Sequence, residues 1–147
     1  MPSSRRARSA MLKAFPAETA GNIYELGAGW GGLAFALALK FPNCKVMAYE
    51  LSPVPWLYML IRARLFIRPN LAIRRGDIHS LPLDGAVAVY MSLHDQCLEK
   101  LKPRLEADLA PGTLVVCNTY EVPGWHPEEV HQLDDTMCPR ITVYRTP

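Results

Sequence analysis

Glu25-Leu26-Gly27-Ala28-Gly29-Trp30-Gly31-Gly32 is the stretch that decides the fold of this chain. It follows a short apolar run at 23–26 and precedes a segment rich in Ala and Leu at 32–41, which Pro42 ends. The first pattern is typical of a buried strand and the second of a small helix. Glycines in such a turn allow positive φ angles and let the backbone approach a ligand closely. The stretch therefore predicts a strand, a glycine loop and a helix.

The same alternation continues along the chain. Further strands are predicted at 45–50, 71–75, 86–91 and 113–120, further helices at 53–66 and around 98–109, and a first helix is expected to run from a Ser3 or Ser4 cap to about Phe15. Two last strand-like pieces, 130–134 and 140–144, are expected to pair as an antiparallel ribbon at the edge of the sheet. Helices and strands that keep alternating favour a doubly wound α/β sheet, with its ligand beyond the carboxyl ends of the strands.

Length and composition indicate one ordinary globular domain, 1–147. The chain has 147 residues, of which 50% are hydrophobic and 20% charged, and no apolar run approaches the roughly 20 residues of a membrane span. A net charge of +2 does not argue for nucleic acid, and the arginines gathered at 62–75 favour a solvated face over a binding patch. Four scattered cysteines without a CxxC pair are typical of a reduced, cytoplasmic protein without structural zinc.

The acid that opens the loop helps to choose between two ligand classes. With Gly27, Gly29 and Gly32 the loop fits the GxGxxG pattern of dinucleotide sites. With Glu25 before Gly27, Gly29 and Gly31 it fits an acid-x-GxGxG pattern instead. The Glu25 carboxylate would repel a pyrophosphate, whereas S-adenosylmethionine carries a sulfonium and an ammonium. This favours S-adenosylmethionine as the cofactor and leaves a nicotinamide-binding oxidoreductase as the alternative.

Two further acids follow the next predicted strands. Glu50 ends the second strand, where a nucleoside needs an acceptor for its ribose hydroxyls. Asp77 follows the third strand, where it can accept from an adenine amino group while Ile78 packs on the ring. Either acid alone is also compatible with a helix cap or a turn. Their common order along the strands favours a nucleoside site.

From Ile23 to Asp77 the chain resembles the class I S-adenosylmethionine-dependent methyltransferases. It is more closely similar to the small protein-lysine methyltransferases typified by the mitochondrial enzymes that act on the adenine nucleotide translocase and the ATP synthase c subunit. This likeness lies in Tyr49-Glu50-Leu51-Ser52-Pro53, in Gly76-Asp77 and in the strand at 87–91. The resemblance implies a Rossmann-like, mostly parallel seven-stranded sheet with an antiparallel C-terminal hairpin. The cofactor-binding residues that it implies are Glu25, Gly27, Ala28, Gly29, Gly31, Glu50, Leu51, Asp77, Ile78 and Met91.

The acceptor side departs from that group. Ser52 stands where Asn is expected, Trp30 stands in the glycine loop, and the turn after the fourth strand reads Tyr90-Met91-Ser92-Leu93-His94. Ser92 and His94 are the candidate catalytic residues because they follow the fourth strand, although His94 also fits an exposed residue in the first turn of a helix. The segment 1–20 is expected to cover the site.

These observations predict an N-methyltransferase that modifies a protein lysine. The alternatives are a small-molecule methyltransferase, an NAD-binding oxidoreductase and a non-catalytic nucleoside-binding module. We expect a protein acceptor as partner, no nucleic acid, no membrane segment and no metal, since the spacing of His126, Glu128, Glu129 and His131 fits no regular metal motif. The identity of the acceptor and the oligomeric state stay open.

Overall fold

A computed structural model describes residues 4–15, 18–134, 136 and 138–147 as a seven-stranded sheet covered on both faces. In chain order the elements are α1 (Arg5–Lys13), β1 (Gly21–Leu26), α2 (Gly32–Lys40), β2 (Cys44–Tyr49), α3 (Pro53–Leu65), β3 (Leu71–Arg74), β4 (Ala86–Met91), α4 (Asp95–Asp108), β5 (Leu114–Asn118), β6 (Glu129–Gln132) and β7 (Arg140–Arg145). The strand order is β3-β2-β1-β4-β5-β7-β6. The first five of these strands are parallel, and β7 runs antiparallel to both β5 and β6. The predicted mostly parallel, Rossmann-like sheet with an antiparallel C-terminal hairpin is confirmed.

Strand alternation divides the core between the two faces of the sheet. Ile23 of β1 packs with α1 and α2, whereas Tyr24 and Leu26 pack on the face that α4 covers. Helix α3 lies on the same face as α2, where Met59 contacts the small cluster around Phe35. Every β1 side chain therefore has a fixed direction, and Glu25 shares the α1 and α2 face with Ile23.

Helix α1 lies where its sequence predicts, beginning at a Ser4 cap whose hydroxyl accepts from the Ala7 N–H at 3.1 Å. The Tyr90 hydroxyl donates to the Met11 carbonyl, and the Lys40 ammonium donates to the Leu12 carbonyl. The first contact holds α1 over the carboxyl-terminal half of β4, and the second holds it against the end of α2. Ser3, the other predicted cap, lies outside the described residues.

The expectation that helices keep alternating with strands is wrong at one place. Residues 76–85, between β3 and β4, form turns without a helix. Strand β3 is also only partly buried because it forms one edge of the sheet. In the described part of the chain, no helix combines the length and the hydropathy needed to cross a bilayer.

Candidate active site

The glycine loop that follows β1 has three positive φ angles in five residues. They fall at Gly27 (78°), Gly29 (58°) and Gly31 (86°). The N–H groups of Gly27 and Ala28 both donate to the Tyr49 carbonyl, at 3.1 and 2.9 Å. The loop is therefore anchored on the end of β2, and its alternate residues require glycine.

The space around these glycines differs: at two of them an added side chain would collide with packed neighbours, and at the third it would not. A Cβ at Gly31 would lie 2.8 Å from Met59 Cγ, and a Cβ at Gly27 would lie 2.9 Å from Leu93 Cδ2. A Cβ at Gly29 would meet no atom within 4 Å. Gly32 is the first residue of α2, where Arg8 Nη1 would lie 2.7 Å from an added Cβ. The conformation thus fits the pattern with Gly27, Gly29 and Gly31, and it leaves Gly29 accessible to a ligand.

A cavity of about 440 Å³ opens beside the loop on the α1 and α2 face of the sheet. Four predicted site residues line it: Glu25, Gly27, Ala28 and Ser92. The rest of the lining consists of Arg8, Trp30, Gly32, Leu33, Tyr58 and Arg62. Helices α1 and α3 thus each contribute a guanidinium group to the cavity.

Glu25 is the buried carboxylate of this cavity. Its side chain is 3% exposed, and its Oε2 has no hydrogen-bond partner among the residues that the structure describes. Burial, followed by the nearby charge of Glu50, raises the pKa of Glu25 to about 8. A buried carboxyl oxygen without a partner is costly, so this position fits a group that binds a cation or a donor.

Glu50 organises the loop from the neighbouring strand. Its Oε2 accepts from the Gly29 N–H at 2.6 Å, and its Oε1 accepts from the Ser52 N–H at 3.0 Å. A carboxylate has about four lone-pair sites, so each oxygen keeps one for a further donor. Glu50 follows β2 and does not line the cavity itself, and neither does the exposed Leu51.

Asp77 and Ile78 follow β3 at the same edge of the sheet. Asp77 Oδ1 accepts from the His79 N–H at 2.9 Å, which closes a turn. Ile78 is partly buried against the core cluster under α4. Both residues lie outside the cavity lining. The contact that the structure gives Asp77 is the one that closes this turn. Along the successive strands, Asp77 follows Glu25 and Glu50.

Strand alternation explains which residues after β4 reach the cavity. Tyr90 points to the α1 face, and Ser92 follows it into the lining. Met91 points to the other face, where it is 1% exposed in the core. His94 is the exposed N-cap residue of α4, with its ring 5.4 Å from that of Tyr120. Of the two candidate catalytic residues, only Ser92 lines the cavity.

Six lining residues were not in the predicted site, and two of them, Gly32 and Leu33, directly follow the glycine loop. Arg8 enters from α1, Tyr58 and Arg62 from α3, and Trp30 from the loop, where its ring contacts that of Tyr58 with centroids 5.3 Å apart. The other two tryptophans, Trp56 and Trp125, lie elsewhere. The arginines carry no local signal, because the packing of their helices alone brings them to the cavity.

The acidic and histidine-rich C-terminal segment forms no metal site in the part of the chain that the structure describes. His131 Nε2 lies 2.9 Å from Glu129 Oε2 on the exposed strand β6. This contact is an exposed ion pair when the histidine is protonated.

Comparison with known proteins finds methyltransferases. The family model described as the ANTKMT methyltransferase domain matches residues 25–129. A protein-lysine N-methyltransferase of Saccharolobus islandicus is 31% identical over 114 residues, which cover 77% of this chain and 71% of that protein. The adenine nucleotide translocase lysine N-methyltransferase of Mus musculus is 30% identical over 113 residues, covering 75% of this chain and 48% of that protein.

The fold has a solved counterpart over its whole length. An RNA methyltransferase from Salinibacter ruber, crystallised with S-adenosyl-L-homocysteine, superposes with a TM-score of 0.91 at 22% identity. The match covers 100% of this chain and 94% of that one. At this identity the likeness concerns the fold.

Proposed function

The chain belongs to the ANTKMT methyltransferase family, and from this premise we propose that it transfers a methyl group from S-adenosylmethionine to the side-chain amine of a protein lysine. The lysine acceptor is supported by the two lysine N-methyltransferases that match about three quarters of the chain. The reaction class follows from the family.

The observation that carries the cofactor assignment is the Glu25 carboxyl. It is buried, it lines the cavity, and its Oε2 lacks a partner within the described residues. In the same loop as the cavity-lining Gly27, Gly29 has a positive φ and open space where another residue would place a Cβ. A cationic ligand pressed against the glycine loop fits both features, whereas a pyrophosphate would meet the carboxyl of Glu25.

We assign each group of S-adenosylmethionine to residues of this chain. We assign Glu25 to the ammonium and Arg8 to the carboxylate of the methionine part, because a carboxylate and a guanidinium line one cavity. Glu50 keeps lone pairs for the ribose hydroxyls, and Asp77 with Ile78 is assigned to adenine. When bound, the cofactor supplies a methyl group on a positively charged sulfur, which departs as a neutral thioether.

The protein's task at the acceptor is to present an amine in its neutral form. With Arg8 assigned to the methionine carboxylate, the guanidinium of Arg62 in the cavity lining disfavours a positive charge on the acceptor amine. The rings of Trp30 and Tyr58 stand at the same cavity and exclude water from an entering side chain. Ser92 offers a hydroxyl to orient the amine, and we assign no step to the exposed His94. In-line positioning supplies most of the catalysis in such a displacement.

The proposal is tested with methyl-tritiated S-adenosylmethionine and a cell extract. We expect label in protein bands that resists nuclease, and methyl-lysine in those bands by mass spectrometry. Gly29→Val should abolish labelling, and Gly112→Val is the matched control, because Gly112 also has a positive φ (82°) and open space but lies after α4. Label confined to RNA or to small molecules would overturn the lysine assignment and leave methyl transfer standing. Tight cofactor binding without any label would overturn methyl transfer itself.

A further inference from the structure

Helix α3 is apolar on two opposite faces, and among the residues that the structure describes only one face packs against the core, while the other contacts the Trp30 ring through Tyr58. Met59 is buried against the core, with Trp56 and Ala63 packed beside it. On the other side Val54, Leu57, Tyr58, Ile61 and Leu65 follow the helical spacing i, i+3, i+4, i+7 and i+11. We call these five residues the α3 stripe. All of them are exposed, and Val54, Leu57, Ile61 and Leu65 each to more than half.

The apolar surface continues beyond the helix. Leu51 precedes it, and Phe66 and Ile67 follow it, with exposed fractions of 61%, 56% and 74%. Contiguous apolar surface of this kind is uncommon on soluble proteins and marks an interaction site. The stripe runs over about three turns of helix, or roughly 18 Å.

The charged residues within and next to the stripe in sequence, between residues 51 and 75, have a single sign. Between residues 51 and 75 the sequence contains five arginines and no Asp or Glu, although the whole chain carries only +2. The rest of the chain is therefore net negative. The arginines that form salt bridges within the described residues, Arg6, Arg104, Arg140 and Arg145, all lie outside this segment.

Two of these arginines border the stripe directly. At 100° per residue, Arg62 and Arg64 project about 80° to either side of its centre. Arg62 packs over the Phe35 ring at 4.5 Å and lines the cavity, whereas Arg64 is exposed. An apolar stripe with arginines on both borders is the pattern of a helix lying in a membrane interface, where the alkyl stems stay with the apolar layer and the charges reach the headgroups.

We propose that the α3 stripe docks this protein on the surface of an anionic lipid bilayer. Charge complementarity favours this occupant over a second copy of the chain, since a two-fold contact through α3 would bring arginine-rich segments against each other. Tyr58 belongs both to the stripe and to the cavity lining. Docking through α3 therefore holds the cavity beside the headgroup layer. The inference concerns binding alone and does not depend on the lysine assignment.

The experiment is co-sedimentation of the 147-residue protein with vesicles. Vesicles of phosphatidylcholine are compared with vesicles of an equal mixture of phosphatidylcholine and phosphatidylglycerol. We expect binding to the mixed vesicles, with weaker binding to phosphatidylcholine alone and a decrease as the salt concentration rises. Leu57→Glu/Ile61→Glu should weaken binding about tenfold or more, and Arg64→Glu about fivefold or more.

Matched controls lie on other surfaces. Val130→Glu changes an exposed apolar residue of β6, and Lys100→Glu changes an exposed cation of α4. Both should sediment like the wild type. None of the substituted residues lines the cavity, so unchanged binding of S-adenosylhomocysteine verifies that each variant is folded. If the double variant fails to fold, the sedimentation of Arg64→Glu and the dependence of wild-type sedimentation on salt still test the proposal.

Three results would overturn the proposal. The first is no sedimentation of the wild type with mixed vesicles, and the second is sedimentation of Leu57→Glu/Ile61→Glu equal to the wild type. The third is a dimer without vesicles in analytical ultracentrifugation that the double variant makes monomeric, which would assign the stripe to a second copy.

Discussion

Glu25 on β1 and Glu50 after the neighbouring β2 flank the glycine loop, and the charge of Glu50 acts on the buried carboxyl of Glu25. Burial is the larger cause and Glu50 the second, and together they raise the pKa of Glu25 to about 8. Glu50 has two backbone N–H donors, while Glu25 Oε2 has no partner within the described residues. The carboxyl of Glu25 is therefore mostly neutral near pH 7, and a bound cation would favour its charged form.

Replacing Glu25 by Gln should change how stability depends on pH. The folded-state pKa of Glu25 lies above its unfolded value, so its contribution is fully present below about pH 4.5 and is lost as the pH rises through about 8. Glu25→Gln stays neutral and should be the more stable protein at about pH 9, by on the order of a few kcal/mol, but not at about pH 5. Urea unfolding at the two pH values measures this. Glu99→Gln, an exposed substitution on α4, should unfold like the wild type at both pH values. If the unfolding free energy of Glu25→Gln differed from that of the wild type by the same amount at both pH values, the raised pKa of Glu25 would be contradicted.

Replacing Arg8 should weaken cofactor binding without unfolding the protein. Its guanidinium lines the cavity beside α2, and a charge-assisted contact to a carboxylate contributes about 1.5–3 kcal/mol. Arg8→Ala should therefore lower the affinity for S-adenosylhomocysteine about tenfold or more in calorimetry. Lys13→Ala removes an exposed cation from the same helix and should leave the affinity unchanged. Equal affinities for the wild type and Arg8→Ala would remove Arg8 from the site.

The fold was predictable because its signals are local. The run Ile23 to Leu26 marks β1, Pro42 ends α2, and 86–91 was placed on β4 with the bounds that the structure gives. The structure of the segment 76–85 was harder to predict, because this segment has neither helical nor strand periodicity and connects two strands by turns alone. The position of β3 at the edge of the sheet could not be predicted either. It depends on the order of the strands in the sheet, which the four residues of β3 do not encode.

Site residues at the ends of strands could be predicted from the order of elements along the chain. Site residues that reach the cavity only through the packing of helices could not. Glu25 and Ser92 could be placed because they lie at the ends of parallel strands that face the same way. Arg8 reaches the cavity only because Tyr90 and Lys40 hold α1 over the sheet, and residues so distant in sequence leave no motif. The second apolar face of α3 was missed because a helix that is apolar on both sides resembles a fully buried one.

Alanine at Gly29 and at Gly31 should separate binding from stability. Both positions have positive φ, which costs a residue with a Cβ about 1–2 kcal/mol. At Gly31 the added Cβ also collides with Met59, so Gly31→Ala should lose about 2 kcal/mol or more of unfolding free energy. Gly29→Ala should lose only the unfolding free energy that a Cβ costs at positive φ. It should, however, weaken S-adenosylhomocysteine binding, because its Cβ enters the ligand's space.

Gly112→Ala is the control for both glycine variants. Its φ is 82°, and an added Cβ meets nothing within 4 Å, so it carries the conformational cost alone. Unfolding curves and calorimetry on the three variants test the separation. Unchanged affinity in Gly29→Ala would mean that the ligand does not approach the loop at that residue.

Asp77→Asn should distinguish an adenine contact from a turn former. The Asn side-chain oxygen can still accept the His79 N–H, so the turn and the unfolding free energy should stay close to those of the wild type. The variant, however, replaces a carboxylate oxygen by an amide donor, which an adenine amino group cannot use. Calorimetry should show weaker binding of S-adenosylhomocysteine, with less change for S-inosylhomocysteine, which lacks that amino group. If both ligands keep their wild-type affinity, Asp77 serves the turn alone and adenine is held by other groups.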